Sequence, residues 1–396
     1  MTNLCEKLTK KFIKVYNRKP EFTSFCPYRI CPVGAHIDHQ HGKIVGFAID
    51  KGITFAFGPK QNGVVELSSV NFEKRAQFHV NSVPQTKQDD WADYLRGATI
   101  ALGNKYPLKV GVCGIIGGDL PIGGLSSSAA VTIAYLSALC KVNNIDITQS
   151  EMVTIARQAE NDYVGVSCGI LDQSCEVYCE KDKLLYLDTK TKEYELIEEN
   201  KNTKPYDILI FFSGKERSLV SSKYNMRLDE CRVSAYYLKA MAGLKYDKIE
   251  NAYLRDVPVE VFEKYKNVLP ENLRLRCQHF YNESKRVEEA AESWRNGDIE
   301  RFGKIIFESG KSSIEYYQTC SEELISLYNY MLEEKGVYGG RFSGAGFQGC
   351  CFAIVDPNYS EQIIKNITEK YLNSFPELNG KFATYICHSA DGVRIK

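Results

Sequence analysis

Four short segments carry side chains whose types and spacing can do chemistry. The first is Leu120-Pro121-Ile122-Gly123-Gly124-Leu125-Ser126-Ser127-Ser128-Ala129-Ala130, which follows a strand-like apolar run and opens a long apolar helical one. At such a junction the first helical turn presents free backbone N–H groups and the positive end of the helix dipole, which together hold an anion. Gly123 and Gly124 let the backbone close on that anion. The hydroxyls of Ser126, Ser127 and Ser128 add donors, and one of them can ligate a cation. The run is not a Walker A loop, because no Gly-Lys-Ser/Thr follows it. Read without its neighbours it is also an ordinary strand-to-helix turn with a serine cap.

The second segment runs from Glu160 to Gln173, with Asp172 twelve residues after Glu160 and with Gly165 and Gly169 marking a tight loop between them. A magnesium ion carried by a nucleotide needs only one or two protein ligands, so a lone Glu160 suffices. A second carboxylate held at a substrate hydroxyl can take its proton. The plain alternative is a solvated glutamate at a helix end and an aspartate in a loop.

The third segment, Cys26 to Gly42, holds three of the six histidines, His36, His39 and His41, beside Cys26 and Cys31. Its spacing fits no standard zinc pattern, and a tetrahedral site needs four convergent ligands. Polar side chains in a loop after a strand suit a polyhydroxylated ligand, or each other. Arg29 stands apart: its charge can neutralise what develops on a transferred phosphoryl group, or it can simply form a surface ion pair. The fourth segment, Gly339 to Cys350, has five glycines in eleven positions. That density implies tight turns or close backbone approach, as a ligand or a structural hairpin requires.

The elements that must position these segments are of both kinds. Helical apolar spacing appears over 5–18, 90–103, about 126–143 and about 149–163. Strands are expected over 43–57, 63–80, 109–117, 175–179 and 183–188, and at Tyr206-Asp207-Ile208-Leu209-Ile210-Phe211-Phe212. Helical patterns fill about 221–335, interrupted near Pro258 and Pro270, and 338–355 reads as strand, glycine-rich turn, strand. Strands and helices mixed without strict alternation argue an α+β fold. At 396 residues the chain suggests two domains. The polar stretch 189–206 is the expected boundary, giving units 1–200 and 201–396.

Composition narrows the class further. Lys+Arg and Asp+Glu are 50 each, so the formal net charge is zero, which offers nucleic acid or an acidic membrane no general attraction. No stretch reaches the ~18 apolar residues of a membrane span. The chain opens MTNLCEKLTKKF, without the apolar core of a signal peptide. Many of its 14 cysteines lie in apolar runs, where cysteine acts as a small hydrophobe. Free thiols in a reducing cytoplasm are therefore expected. The expected partners are small molecules, and the expected assembly is a monomer or weak homo-oligomer.

In this order and combination, the four segments resemble the GHMP kinases, and the Glu160–Asp172 segment with Tyr224-Asn225 before a long helix resembles their galactokinase branch. The likeness runs from about residue 22 to 390. It implies a two-domain fold, ribosomal-protein-S5-like in the N-terminal half and a ferredoxin-like α/β-plait in the C-terminal half, with the active site in the cleft between. It implies a sugar kinase that uses ATP and Mg²⁺ and phosphorylates the anomeric hydroxyl. Asp172 would be the catalytic base and Arg29 the transition-state stabiliser. Ile122, Gly123, Gly124, Leu125, Ser126, Ser127 and Ser128 would wrap the ATP phosphates, and Ser128 and Glu160 would hold Mg²⁺. Ala35, His36, Ile37, Asp38, Gly169 and Tyr224 would contact the sugar.

Two departures from the family pattern bear on function. The phosphate loop is one residue short, which implies a tighter turn before an intact helix N-terminus. Galactokinases carry Gly-Glu-His-Thr-Asp, where this chain has Gly34-Ala35-His36-Ile37-Asp38. The glutamate accepts a hydrogen bond from the sugar's C6 hydroxyl, so its loss disfavours a neutral hexose and removes repulsion against a sugar whose C6 is a carboxylate. The runs around Ala35 and Arg341 look more like galacturonokinases than galactokinases. D-galacturonate is therefore the expected substrate, with D-galactose as the alternative. A sugar- and ATP-sensing regulator on the same fold is a further reading, which the intact Arg29, Glu160 and Asp172 oppose.

Overall fold

The structure, a computed structural model, describes residues 3–215 and 221–396. The chain begins with α1 (Asn3–Tyr16), β1 (Phe22–Val33), β2 (Lys43–Lys60), β3 (Val64–Ser69), β4 (Ala76–His79), α2 (Asp93–Gly103), β5 (Gly111–Gly118), α3 (Ser127–Asn143) and α4 (Gln149–Gln158). It continues with α5 (Leu171–Tyr178), β6 (Lys183–Asp188), β7 (Tyr194–Glu198), β8 (Asp207–Phe212), α6 (Ser221–Met241), α7 (Val259–Tyr265), α8 (Glu271–Arg295) and α9 (Ile299–Ser312). The last elements are α10 (Glu322–Glu333), β9 (Val337–Phe342), β10 (Cys350–Val355), α11 (Ser360–Ser374), β11 (Ala383–Cys387) and β12 (Arg394–Ile395).

The strands form two sheets. One has the order β12-β1-β2-β5-β3-β4, with β6 on β2 and β7 on β6, and the other has the order β11-β8-β10-β9. The β3–β5 pair is parallel. β12 returns the C-terminus to the first sheet by pairing with Ser24 and Phe25 of β1.

Period-2 alternation explains how these sheets are covered. On β2, Phe55 and Phe57 enter the main core, while Ala56 between them packs with Leu8 and Phe12 of α1. On β8, Ile208, Ile210 and Phe212 join the main core, and Leu209 and Phe211 meet α10 and α11 on the opposite face. Trp294 of α8 is fully buried against Phe47 of β2, Tyr206 and Phe302. Burying a side chain of that size stabilises by about 1.5–3 kcal/mol, and here it fastens the helical layer to the first sheet. α4 starts on a capping box between Thr148 and Glu151, which satisfies two otherwise orphan N–H groups.

Most expected elements are present, with two corrections. The expected strand over 63–80 is two antiparallel strands, β3 and β4, separated by a turn that carries the polar residues Asn71, Glu73, Lys74 and Arg75. Residues 175–179 are not a strand. They fall in and just after α5, which places Asp172 in a first helical turn instead of a loop. Apart from Glu176, the run Cys175-Glu176-Val177-Tyr178-Cys179 is apolar, with one β-branched residue, Val177. Over so short a stretch, periodicity does not separate strand from buried helix.

None of the 14 cysteines is paired in a disulfide. Among the described residues no helix is long and apolar enough to cross a membrane.

Candidate active site

Arg29 sits in β1 between two breaks of register against β2, at Pro27/Tyr28 and at Ile30/Val33. Pro27 and Pro32 have no N–H to donate to a ladder, and such breaks re-aim side chains beside functional sites. The Arg29 guanidinium is buried. Its Nε donates to Asp172 Oδ1 at 2.7 Å, and its Nη1 donates to the Gly124 carbonyl at 3.1 Å and to Ser343 Oγ at 3.2 Å. Burial opposes its charge, but the Asp172 carboxylate outweighs burial and holds the guanidinium more firmly protonated than in water. The other oxygen of Asp172, Oδ2, accepts from Ser126 Oγ at 2.7 Å.

Ser126 precedes α3 with a left-handed backbone (φ 64°) and makes no side-chain cap; its hydroxyl points instead to Asp172 and donates there. The first N–H groups of α3 are thus left for another acceptor. Gly123 and Gly124 also have positive φ. A Cβ on Gly123 would stand 3.0 Å from Gly349 Cα, and one on Gly124 2.9 Å from Cys350 Sγ and 3.0 Å from the Ser343 carbonyl. The 122–128 loop therefore lies directly on the turn between β9 and β10, and glycines on both sides permit the approach.

Glu160 is placed by a π-helical turn, Ala159–Val164, that continues α4. Such turns recur at functional sites. Glu160 is buried, and its Oε1 accepts from Gln173 Nε2 at 2.8 Å. Gly169 has no room for a side chain, since a Cβ would collide with the Asp38 carboxylate. Asp38 accepts the Leu171 N–H at 3.3 Å. Burial, and then the nearby Asp172 charge, push its pKa up to about 6.

The loop after β1 is held from behind. His36 has φ 65° and stacks on Tyr317 at 4.5 Å between ring centroids. His39 Nε2 lies 2.9 Å from the Tyr317 hydroxyl, and His279 Nε2 lies 3.0 Å from the Ala35 carbonyl oxygen. Burial drives all three rings toward the neutral form: His36 well below the usual value, His39 to about 3 and His279 to about 4. His41 points elsewhere and stacks on Tyr253, so the clustered histidines do not converge. Behind the loop, Glu283 accepts the Gly34 N–H at 2.7 Å. The same carboxylate lies 2.8 Å from Arg286 and 3.6 Å from Arg341.

One cleft gathers most of the residues singled out in the sequence. Arg29, Ala35, His36, Asp38, Gly124, Ser126, Ser128, Glu160, Gly169, Asp172 and Tyr224 all line it. Ile37 does not: its side chain is fully buried in the main core. Ile122 is half-exposed and Leu125 is buried, so along 122–128 Gly124, Ser126 and Ser128 reach the cleft.

Sequence reasoning missed Tyr94, Cys168, Phe347 and Gln348, which also line the cleft, and Ser343, which holds Arg29. The glycine density of 339–350 was the available signal for Ser343, Phe347 and Gln348. Nothing in the pattern of α2 marks Tyr94. Among the described residues no three His, Cys, Asp or Glu side chains converge as a metal cage. The hydroxyl of Ser128 and the carboxylate of Glu160, beside a helix N-terminus, do fit a divalent ion that arrives on nucleotide phosphates.

Comparison with known proteins agrees with this arrangement. Residues 93–180 match the GHMP kinases N terminal domain, 287–373 the GHMP kinases C terminal domain, and 10–59 the galactokinase galactose-binding signature. A galacturonokinase of Arabidopsis thaliana is 39% identical over 393 residues, covering 93% of this chain and 92% of that protein. A galactokinase of Clostridium perfringens is 33% identical over 369 residues, covering 92% and 93%. The crystal structure of Lactococcus lactis galactokinase complexed with galactose superposes with a TM-score of 0.89 at 29% identity, covering 99% of this chain and 100% of that one. The chain belongs to the GHMP kinases, in their galactokinase branch, and is a sugar kinase with the two-domain fold of that family.

Proposed function

We propose that the chain transfers the γ-phosphoryl group of ATP to the anomeric hydroxyl of D-galacturonate, giving the 1-phosphate. The observation that carries the choice of sugar is Ala35, a methyl group lining the cleft where galactokinases have a carboxylate. Charge behind the loop points the same way. Two guanidinium groups, Arg286 and Arg341, share the single carboxylate of Glu283, which leaves one net positive charge beneath Gly34 and Ala35. An anionic C6 group is favoured there, and no carboxylate at position 35 repels it.

The residues divide the work as follows. Asp172 receives the proton of the attacking hydroxyl. Arg29, fixed on Asp172, keeps the base ionised and offers positive charge to the phosphoryl group in flight. Asp38, His36, Gly169 and Tyr224 orient the sugar ring. The 122–128 loop and the N-terminus of α3 bind the phosphates, and the 343–349 turn supports them from the C-terminal half. Ser128 and Glu160 would hold Mg²⁺, which when bound offsets phosphate charge. Positioning and electrostatics are the protein's main contributions to a transfer of this kind.

ADP release measured with galacturonate, galactose and glucuronate side by side tests the reading. The highest kcat/KM is expected with galacturonate. A clear preference for galactose would replace it with a galactokinase, and no sugar-dependent ADP release from folded protein would favour a non-catalytic sensor.

A further inference from the structure

Glu176 follows Asp172 by one helical turn on α5, so the two carboxyl groups share a helix face. It is completely buried. Among the described residues neither of its carboxyl oxygens completes a hydrogen bond, although the Ser126 hydroxyl and the Arg29 charge are close enough to favour its ionised form against burial. The side chain faces Ser126, Arg29 and Asp172, with Glu160 beyond, and Cys26 and Tyr28 of β1 lie near it. Arg29, the cation of this group, is already committed to Asp172, Gly124 and Ser343.

A buried carboxylate with no donor is costly, and the neutral acid avoids that cost. Burial first, and then the Asp172 charge, hold the Glu176 proton on well above the usual carboxyl range. A protonated carboxyl has one hydrogen to donate. A serine hydroxyl also has one, with two lone pairs to receive. Ser126 spends its hydrogen on Asp172 Oδ2, which leaves its lone pairs open toward Glu176. The terminal torsion of a glutamate is broad, so rotation about it is free to turn the acid hydrogen toward Ser126.

We propose that Glu176 is a positioning residue of the phosphoryl-transfer site: as a neutral acid it donates to Ser126 Oγ, which commits the Ser126 hydrogen to Asp172 and keeps Asp172 ionised and oriented toward the sugar hydroxyl. The hydrogen bonds then run in one direction, from acid to hydroxyl to carboxylate. An ionised Glu176 would reverse them by competing for the Ser126 hydrogen. It would also set a second negative charge one turn from the base, raising the proton affinity of Asp172 in the ground state. The proposal rests on the reading of Asp172 as the base.

The test compares E176Q with E176M in the full chain. The amide stays neutral and keeps an N–H donor, whereas the thioether has the size without the donor. E176M is expected to lose about tenfold in kcat, the worth of one hydrogen bond, with little change in either KM. E176Q is expected to recover most of that loss. The infrared difference spectrum of wild type minus E176Q at neutral pH is expected to contain the carbonyl stretch of a protonated carboxylic acid. Unchanged kcat in a natively folded E176M, E176Q as slow as E176M, or a carboxylate band in place of the acid band would each overturn the proposal. The infrared result does not depend on turnover. If D172N were active while the acid band persisted, the base assignment would fall and the neutral state of Glu176 would stand. If E176M does not fold, the E176Q kinetics and the infrared band still decide.

Discussion

Arg29 Nε and Asp172 Oδ1 lie 2.7 Å apart, although 143 residues separate them in the chain. The arginine is supplied by a strand segment between two register breaks and the aspartate by the first turn of a short helix. Their pairing fixes both groups against the 122–128 loop, since Arg29 also holds Gly124 and Asp172 also holds Ser126.

Asp172→Asn keeps the size of the side chain and its contact with Ser126 but cannot take a proton. Turnover is expected to fall on the order of 10²–10⁴-fold, the usual worth of a general base, with ATP and sugar affinities nearly unchanged. Single-turnover kinetics with equilibrium dialysis checks both halves. Turnover within a few-fold of wild type would mean that another group, or none, serves as base.

Ala35→Glu introduces into the cleft a carboxylate at the position where galactokinases carry one. Like charges brought together cost several kcal/mol, so kcat/KM for galacturonate is expected to drop at least ~10²-fold while that for galactose rises. Parallel initial-rate measurements on both sugars decide this. An equal fall for both would mean that residue 35 acts on the fold and not on selectivity.

Gly124→Ala tests the contact between the 122–128 loop and the glycine-rich turn. Gly124 has φ 81°, and its new Cβ would press on Cys350 and Ser343. A left-handed alanine alone costs about 1–2 kcal/mol. The variant is expected to melt earlier and to show a raised KM for ATP, with a smaller change in the KM for sugar. Calorimetry and steady-state kinetics report the two effects separately.

Acid should weaken the fold through the buried histidines. His39 and His279 are held neutral, with pKa values near 3 and 4 against an ordinary 6.5. The unfolded chain therefore binds these protons first as pH falls. Their contribution is complete above pH 6.5 and is lost between 6.5 and about 4 for His279, and down to about 3 for His39. Each is expected to remove about 1.4 kcal/mol between pH 7.5 and 5.5. Urea unfolding at those two pH values measures the loss, and His279→Gln is expected to reduce it by that amount.

Much of this site was legible in the sequence because its parts are local. Ser126-Ser127-Ser128 at a strand-to-helix junction, the loop around His36 and Asp38, and the Glu160–Asp172 segment each carry their chemistry within a few residues. What was not legible depends on long-range packing. Nothing near Ser343 in the chain says that its hydroxyl meets Arg29, and Tyr94 looks like any half-buried helix residue. The Cys175–Cys179 run resembles a strand because eight residues of buried helix leave no clear period. Glu176 stands one turn from Asp172 only because the segment is helical. Ile37 illustrates the converse, a residue inside a functional motif whose side chain serves the core.

The most direct measurement of the central claim is a competition. Equimolar galacturonate and galactose are incubated with the protein and limiting ATP, and the products are read by ³¹P NMR with coupling to ¹H. A dominant signal from galacturonate phosphorylated at the anomeric carbon, its phosphorus coupled to the anomeric proton, is the predicted result. Galactose 1-phosphate as the main product, or phosphate on any other carbon of galacturonate, would contradict the account.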